Sequence, residues 1–301
     1  MTNQAQRVAT AAIGIPLAVA VVWAGGLLLV GLVLAIAILG TRELFDLAER
    51  GGVRPLRILG LVLAGLVPLV TWVVASPLGE RLNPVESFVA ALLMPFWLWV
   101  QWPLVTIFVP VLVLSSVLFF RRPDQHPLAA AGITLLGPIY CALLPAAVLL
   151  IRFAAGPDRS LPATALVFFP LVVTWLCDSF AMWGGKAMGG AKLWPEVSPG
   201  KTRSGGAAGV VGGVLAAVIY VPLVLTPAGK SLPLLQAAFM GLVISIVAQV
   251  GDLVESLFKR EAGVKDSSAL IPGHGGVLDR LDSLYFVLPT AALLYRAFEV
   301  L

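Results

Sequence analysis

Charge is what this sequence has least of. Only 12% of its 301 residues are Asp, Glu, Lys or Arg, while 59% are hydrophobic. A water-soluble domain of that length needs far more polar surface to cover its core, so that class is excluded and lipid becomes the solvent for most of the chain. Cysteine is nearly absent too: Cys141 and Cys177 both lie inside apolar segments. That excludes a disulfide framework and a cysteine-rich zinc site, and both read as small buried hydrophobes. The apolar stretches are continuous rather than alternating, which argues against a membrane β-barrel. The net charge of +4 suits basic cytoplasmic loops and gives no indication of nucleic acid.

What the chain does have is long apolar runs, and runs of ~17–25 residues are long enough to cross a bilayer as helices. Spans are expected at 8–24, 27–46, 56–75, 130–153, 162–183, 205–226, 232–257 and 281–300. The first resembles a signal peptide, but a second apolar run follows at once without a clear cleavage site, so it is read as retained. The region 86–120 is too long for one straight helix, since 35 residues at ~1.5 Å each exceed a ~30 Å hydrocarbon core. "QWP" at 101–103 is the expected break.

Lys and Arg placement sets orientation. Arg42, Arg50, Arg54 and Arg57, then Arg121 and Arg122, then Lys186, Lys192, Lys201 and Arg203, then Lys259, Arg260 and Lys265 mark four cytoplasmic stretches. Parity then requires 86–120 to cross once, with a re-entrant or interfacial remainder. The expected fold class is all-α: a polytopic integral membrane helical bundle of about nine transmembrane helices, with the N-terminus inside. It forms a single domain over 1–301, in which 1–160 supply N-terminal spans and 161–301 carry the polar chemistry.

That chemistry concentrates in "GDLVESLFKREAGVKDSSALIPGHGGVLDRLDS", 251–283, where ten residues from Asp252 to Asp282 are charged. If the preceding span stays helical to about residue 260, Asp252, Glu255, Ser256 and Lys259 share one face. Asp279, Asp282 and Ser283 do the same at the start of the last span. Carboxylates at a membrane rim are ligands for hard cations, and Mg²⁺ is commonly held by one or two of them plus substrate phosphates. Lys259, Arg260, Lys265 and Arg280 are phosphate donors by type. Carboxylate, Mg²⁺ and phosphate in a basic surround are the equipment of phosphoryl and nucleotidyl transfer. The plain alternative is a solvated loop whose charges merely obey topology. Against it, Asp252 and Asp279 lie close to apolar runs, and the glycines of "PGHGG" allow close backbone approach and leave His274 exposed.

A second polar island spans 177–206. Asp178 sits within an apolar helix and is expected to face the bundle interior, either toward substrate or in a structural hydrogen bond. "SPGKT" at 198–202 is not a Walker A motif, because Pro195 stands where the first glycine is needed and no strand is expected before it. It reads as a flexible basic loop suited to a triphosphate. Gly205, Gly209 and Gly213 recur every fourth residue and read as helix packing. The lone loop histidine His126 is assigned nothing.

The string Ser256-x2-Lys259-Arg260-x4-Lys265-Asp266-x-Ser268-x2-Ile271-Pro272-x-His274-Gly275-Gly276-x2-Asp279-Arg280-x-Asp282 resembles the signature of the CDP-diacylglycerol synthases, or phosphatidate cytidylyltransferases, of bacterial type. The likeness extends to "GDL" at 251–253, to Asp178-Ser179, to "VSPGKT" at 197–202 and weakly to the N-terminus. One departure is that Arg203 and Ser204 follow "SPGKT" where many relatives carry an aromatic and then an acidic or amide residue.

The resemblance implies transfer of CMP from CTP to phosphatidate, giving CDP-diacylglycerol and pyrophosphate. It implies Mg²⁺ held by Asp252 and Asp279, with a second cation left open. The implied catalytic set is Lys259, Arg260, Lys265, Asp266, His274, Arg280 and Asp282, with His274 as a positioning donor. Asp178, Ser198, Lys201, Thr202 and Ser256 are the implied substrate contacts. The implied location is the bacterial inner (cell) membrane, with the site facing the cytoplasm; the partners are the two substrates and membrane lipid, no nucleic acid, and a homodimer is left open. The rival readings are a CTP-dependent lipid kinase, which would attack the γ-phosphorus, and a transporter of anionic lipid. The second would spread intramembrane charge across both sides of the bilayer.

Overall fold

The computed structural model describes residues 14, 16–75, 102–156, 158–270 and 275–301, with side chains from residue 108 onward in the segment that begins at 102. Residues 14 and 16–24 are helical, and the other residues of the first expected span lie outside the described residues. The long helices are α1 (Gly26–Arg50), α2 (Arg57–Ala75), α3 (Trp102–Phe120), α4 (Pro127–Ala154), α5 (Leu161–Met188), α6 (Arg203–Leu225) and α7 (Leu234–Glu261). The short helix α8 (Val277–Leu281) and α9 (Leu284–Ala297) close the chain. Among the described residues, six helices are long and apolar enough to cross a membrane: α1, α2, α4, α5, α6 and α7. Large apolar side chains stand outward on them, Ile58 at 82% and Leu235 at 84% exposure, as suits helices solvated by lipid. The protein is an all-α integral membrane bundle.

Two expectations need adjustment, the last span and the "SPGKT" loop, while the break expected at "QWP" agrees with the start of α3. The last span, expected over 281–300, is 14 residues of α9, which at ~1.5 Å per residue falls short of a ~30 Å core. Helix α3 starts at Trp102 with Pro103 in its first turn, where a missing N–H costs nothing; the re-entrant piece expected within 86–120 lies outside the described residues. "SPGKT" is not a flexible loop and a strand does precede it. Strand β2 (Ser198–Thr202) pairs antiparallel with β1 (Lys192–Trp194), with Lys192 opposite Thr202 and Trp194 opposite Ser198. The Arg203 N–H to Ala191 carbonyl bond (2.9 Å) closes this hairpin, and Thr202 then caps α6 by accepting the Gly205 N–H at 3.1 Å.

The glycine repeat is packing, as its spacing implied. A Cβ on Gly209 would stand 2.9 Å from the Cys177 carbonyl oxygen and 3.0 Å from Ala181 Cβ, and one on Gly205 would stand 2.7 Å from the Ala181 carbonyl oxygen. Gly213 faces the Ser245 hydroxyl of α7. Small residues thus let α6 lie directly against α5 and α7.

Loop contacts gather the basic stretches at one end. The Arg121 guanidinium donates to the carbonyls of Arg54 (2.9 Å) and Pro55 (2.7 Å), and Arg260 Nε donates to the Val197 carbonyl at 3.3 Å. The opposite end is tied by the buried Arg152. It donates to the Val22 and Trp23 carbonyls at 2.7 and 3.1 Å, and it lies 3.8 Å from Asp158.

Candidate active site

Helix α7 continues unbroken to Glu261, so Asp252, Glu255, Ser256 and Lys259 share a face as their spacing implied. Ser256 Oγ donates to Asp252 Oδ1 at 3.3 Å. Lys259 is the hub: its ammonium donates to Glu255 Oε1 at 3.0 Å and to Asp279 Oδ1 at 2.8 Å. Glu255 is 1% exposed, so its charge depends on that contact.

Asp279 occupies the third position of α8, where a carboxylate can reach back to the free N–H groups of the helix start. Its Oδ2 accepts the Gly276 N–H, the Ser267 N–H and the Ser267 hydroxyl, each at 2.8 Å. Burial alone would push this carboxyl up; the hydrogen bonds from Gly276, Lys259 and Ser267 outweigh it and hold the group below the usual carboxylate range. The loop turns tightly to allow this. Gly275 has φ +78°, in the left-handed region that favours glycine. A Cβ on Gly276 would collide with Ser267 Oγ and Glu43 Oε2.

Glu43 is the residue the sequence reading missed. It belongs to α1, is 4% exposed, and its carboxylate enters the loop from the far side of the chain. Its Oε1 accepts the Ser268 hydroxyl at 2.6 Å and the Val277 N–H at 3.1 Å. Its Oε2 accepts the Leu278 N–H at 2.9 Å and lies 3.0 Å from the Ser267 hydroxyl, whose one hydrogen it shares with Asp279. The sequence offered little hint, since Glu43 stands beside Arg42 in the first charged stretch and reads there as one more rim charge.

The hairpin supplies the facing wall. Lys201 on β2 pairs with Asp252 Oδ2 at 2.5 Å, which brings the two polar islands together. Asp178 faces the same charges from α5: it lies in the combined field of Asp252, Asp282 and Lys201, with its side chain open to solvent there. A carboxylate in a lipid-embedded helix is least costly where water and other polar groups reach it. Burial first, then the charge of Asp252, push the Asp282 carboxyl up to about 6.

The remaining expected residues divide. Lys265, Asp266 and Arg280 are exposed on the loop and on α8. Arg260 is engaged with backbone, donating to the carbonyls of Val197 (3.3 Å) and Val264 (3.1 Å). Ser198 is half-buried on β2, and Thr202 is committed to its capping bond. Ser204 donates to the Gly189 carbonyl, so one of the two departing positions clamps the base of the hairpin. His274 lies outside the described residues. Among the described residues, no three His, Cys, Asp or Glu side chains form a ready coordination group.

The chain matches the cytidylyltransferase family over residues 5–298. It is 43% identical over 133 residues to the phosphatidate cytidylyltransferase of Bacillus subtilis, covering 44% of this chain and 48% of that protein. Over 138 residues it is 45% identical to the enzyme of the same name from Brucella abortus, covering 46% and 48%. The enzyme of that name from Staphylococcus saprophyticus is 42% identical over 128 residues, covering 42% and 48%. These matches span about half the length of each relative.

Proposed function

The chain belongs to the cytidylyltransferase family, and from that premise we propose that it transfers CMP from CTP to phosphatidate, yielding CDP-diacylglycerol and pyrophosphate. The observation that carries this reading is the convergence of Asp252, Lys259, Asp279 and Lys201 at one end of a lipid-embedded bundle. One substrate is a membrane lipid and the other a water-borne triphosphate, so the reaction belongs at such a rim. By the distribution of Lys and Arg this rim faces the cytoplasm, with the protein in the bacterial inner membrane.

A phosphatidate oxygen attacks the α-phosphorus of CTP, and the bond to pyrophosphate breaks. The lipid phosphate is already largely ionised at neutral pH, so no side chain has to act as a strong base, and His274 serves as a positioning donor. Lys265 and Arg280, exposed at the rim, meet the triphosphate and hold the growing charge of the leaving group. Lys201 reaches the same region from β2, while Lys259 holds α7 and α8 in register through its two carboxylates.

The donor set suits Mg²⁺. Asp178, Asp252 and Asp282 lie within one another's field, hard oxygen donors that would need to draw closer to share one ion. Asp252 would hold the ion through its partly exposed carboxylate; Asp279 would join through Oδ1, after Lys259 releases it, since three donors occupy its Oδ2. Bound there, the ion would offset charge on the transferring phosphate.

The test is purified protein with phosphatidate, Mg²⁺ and labelled CTP. Label from α-³²P CTP is expected in lipid only with phosphatidate present, and EDTA abolishes it. Entry of γ-label instead would establish a lipid kinase, and entry of neither would overturn both.

A further inference from the structure

We propose that Glu43 is a positioning residue for the transfer reaction: from α1 it fixes the loop and helix start that hold Asp279 in place beside Lys259 of α7. This rests on the reaction proposed above. The Glu43 carboxylate stands 224 residues from Ser267, yet it accepts hydrogen bonds from Ser268, Val277 and Leu278 at 2.6–3.1 Å and shares the Ser267 hydroxyl hydrogen with Asp279.

The arrangement is selective for a carboxylate. Four donors converge on two oxygens, and two of those donors are the Val277 and Leu278 N–H groups at the start of α8, which have no intrahelical acceptor. Nothing but an acceptor on both branches satisfies the set. Ser267 is the coupling element, because its hydroxyl lies 3.0 Å from Glu43 Oε2 and 2.8 Å from Asp279 Oδ2. Glu43 thereby sets the position of Asp279 through a shared serine. Beneath this contact Leu44, Leu47, Tyr140, Leu278 and Tyr285 pack as one buried cluster, so α1 cannot shift without carrying α8 with it. The N-terminal half of the chain, which contributes none of the signature residues, thus supplies the brace for them.

Glu43→Gln places an amide NH₂ where one pair of donors needs an acceptor, with little change in volume. Two readouts on the purified full chain decide the matter. The first is the split between kcat and KM. A brace lost by a fraction of an ångström to an ångström should lower kcat by roughly tenfold to a hundredfold, with KM for CTP and phosphatidate changed less than about threefold. The second is hydrogen exchange: the Val277 and Leu278 amides should lose protection in Glu43→Gln, while the amides of 238–250 in α7 keep it. Both changes together support the proposal. Wild-type kcat per folded molecule, or loop amides as protected as before, would overturn it.

Glu49→Gln, a charge change on the same helix whose partner is Arg57, serves as control and should change neither readout. Should Glu43→Gln not yield folded protein, Ser268→Ala removes one of the four donors and keeps the charge; it should lower kcat several-fold, and no fall in kcat would overturn the proposal. If the wild-type protein itself transfers no label, the proposed reaction fails instead, and the exchange measurement still decides whether Glu43 braces the loop.

Discussion

Lys259 and Asp279, twenty residues apart, are joined by a 2.8 Å ion pair that closes the signature loop onto α7. The side chains are 11% and 6% exposed, and Glu255 at 1% shares the same ammonium. Two carboxylates and one cation out of water act as one network, in which each contact strengthens the others.

Removing the cation is therefore expected to be costly. Lys259→Met takes the cation from the buried Glu255 and one donor from Asp279, which keeps its bonds from Gly276 and Ser267, and breaking a buried pair in this way typically destabilises by ~3–5 kcal/mol. Thermal unfolding of the detergent-purified variant should show a clear fall in midpoint, along with lost turnover. An unchanged midpoint would mean that water, not Lys259, carries these charges.

Asp252 and Asp279 should part company in stability while agreeing in activity. Asp252 is 29% exposed and its partner Lys201 is 28% exposed, so Asp252→Asn should cost no more than ~1 kcal/mol. Asp279→Asn puts an NH₂ among donors and should cost ~1–3 kcal/mol per group left without an acceptor. Both should cut turnover by orders of magnitude if they share Mg²⁺, because each ~1.4 kcal/mol of lost stabilisation is tenfold in rate. The double variant should be little slower than either single one, since ligands of one ion act as a unit. Near-normal rates in a folded single variant would remove that aspartate from the metal site.

Gly276 is expected to be intolerant for a reason of space rather than conformation. Its φ of −93° is open to any residue, but a Cβ there would strike Ser267 Oγ and Glu43 Oε2. Gly276→Ala should destabilise by ~1–3 kcal/mol, as overpacking does, and slow the reaction at least tenfold. Gly132→Ala, where nothing lies within 4 Å of the added carbon, should be silent in both assays. Equal behaviour of the two variants would refute the crowded geometry of the loop.

Much of this was legible before the fold was known. Apolar runs gave the helices because lipid leaves the backbone few alternatives, and the i, i+3, i+4, i+7 spacing of Asp252 to Lys259 gave the shared face. The four-residue glycine period marked the α5–α6–α7 contact. Glu43 was not legible, because its partners lie 224 to 235 residues away and its role is set by tertiary approach, which no local pattern encodes. The hairpin was missed because a three-residue strand carries no usable alternation; one backbone bond at its base and the Thr202 cap create it. Which charges Asp178 meets likewise depends on the neighbours of α5, and helical spacing alone does not give that.

The remaining expectation is sidedness, and the fold sharpens it. Arg121 bonded to Arg54 and Pro55, Arg260 to Val197, and Glu43 to Ser268 place the four basic stretches at one end. At the other end Arg152 meets Trp23, and Lys230 donates to the Val300 carbonyl at 3.3 Å. One labelled position at each end therefore reports the whole bundle. Cys141 and Cys177 are both buried, so a cysteine-free background should remain folded once their small volumes are replaced by alanine or serine. On that background Ala269→Cys lies at the basic end and Ser231→Cys at the other, and both positions are exposed. An impermeant thiol reagent added to intact cells should label Ser231→Cys and spare Ala269→Cys, and permeabilisation should open Ala269→Cys to it. The opposite pattern would put Asp252, Lys259 and Asp279 on the outer face, beyond the reach of cytoplasmic CTP. The nucleotide chemistry argued from them would then have no substrate.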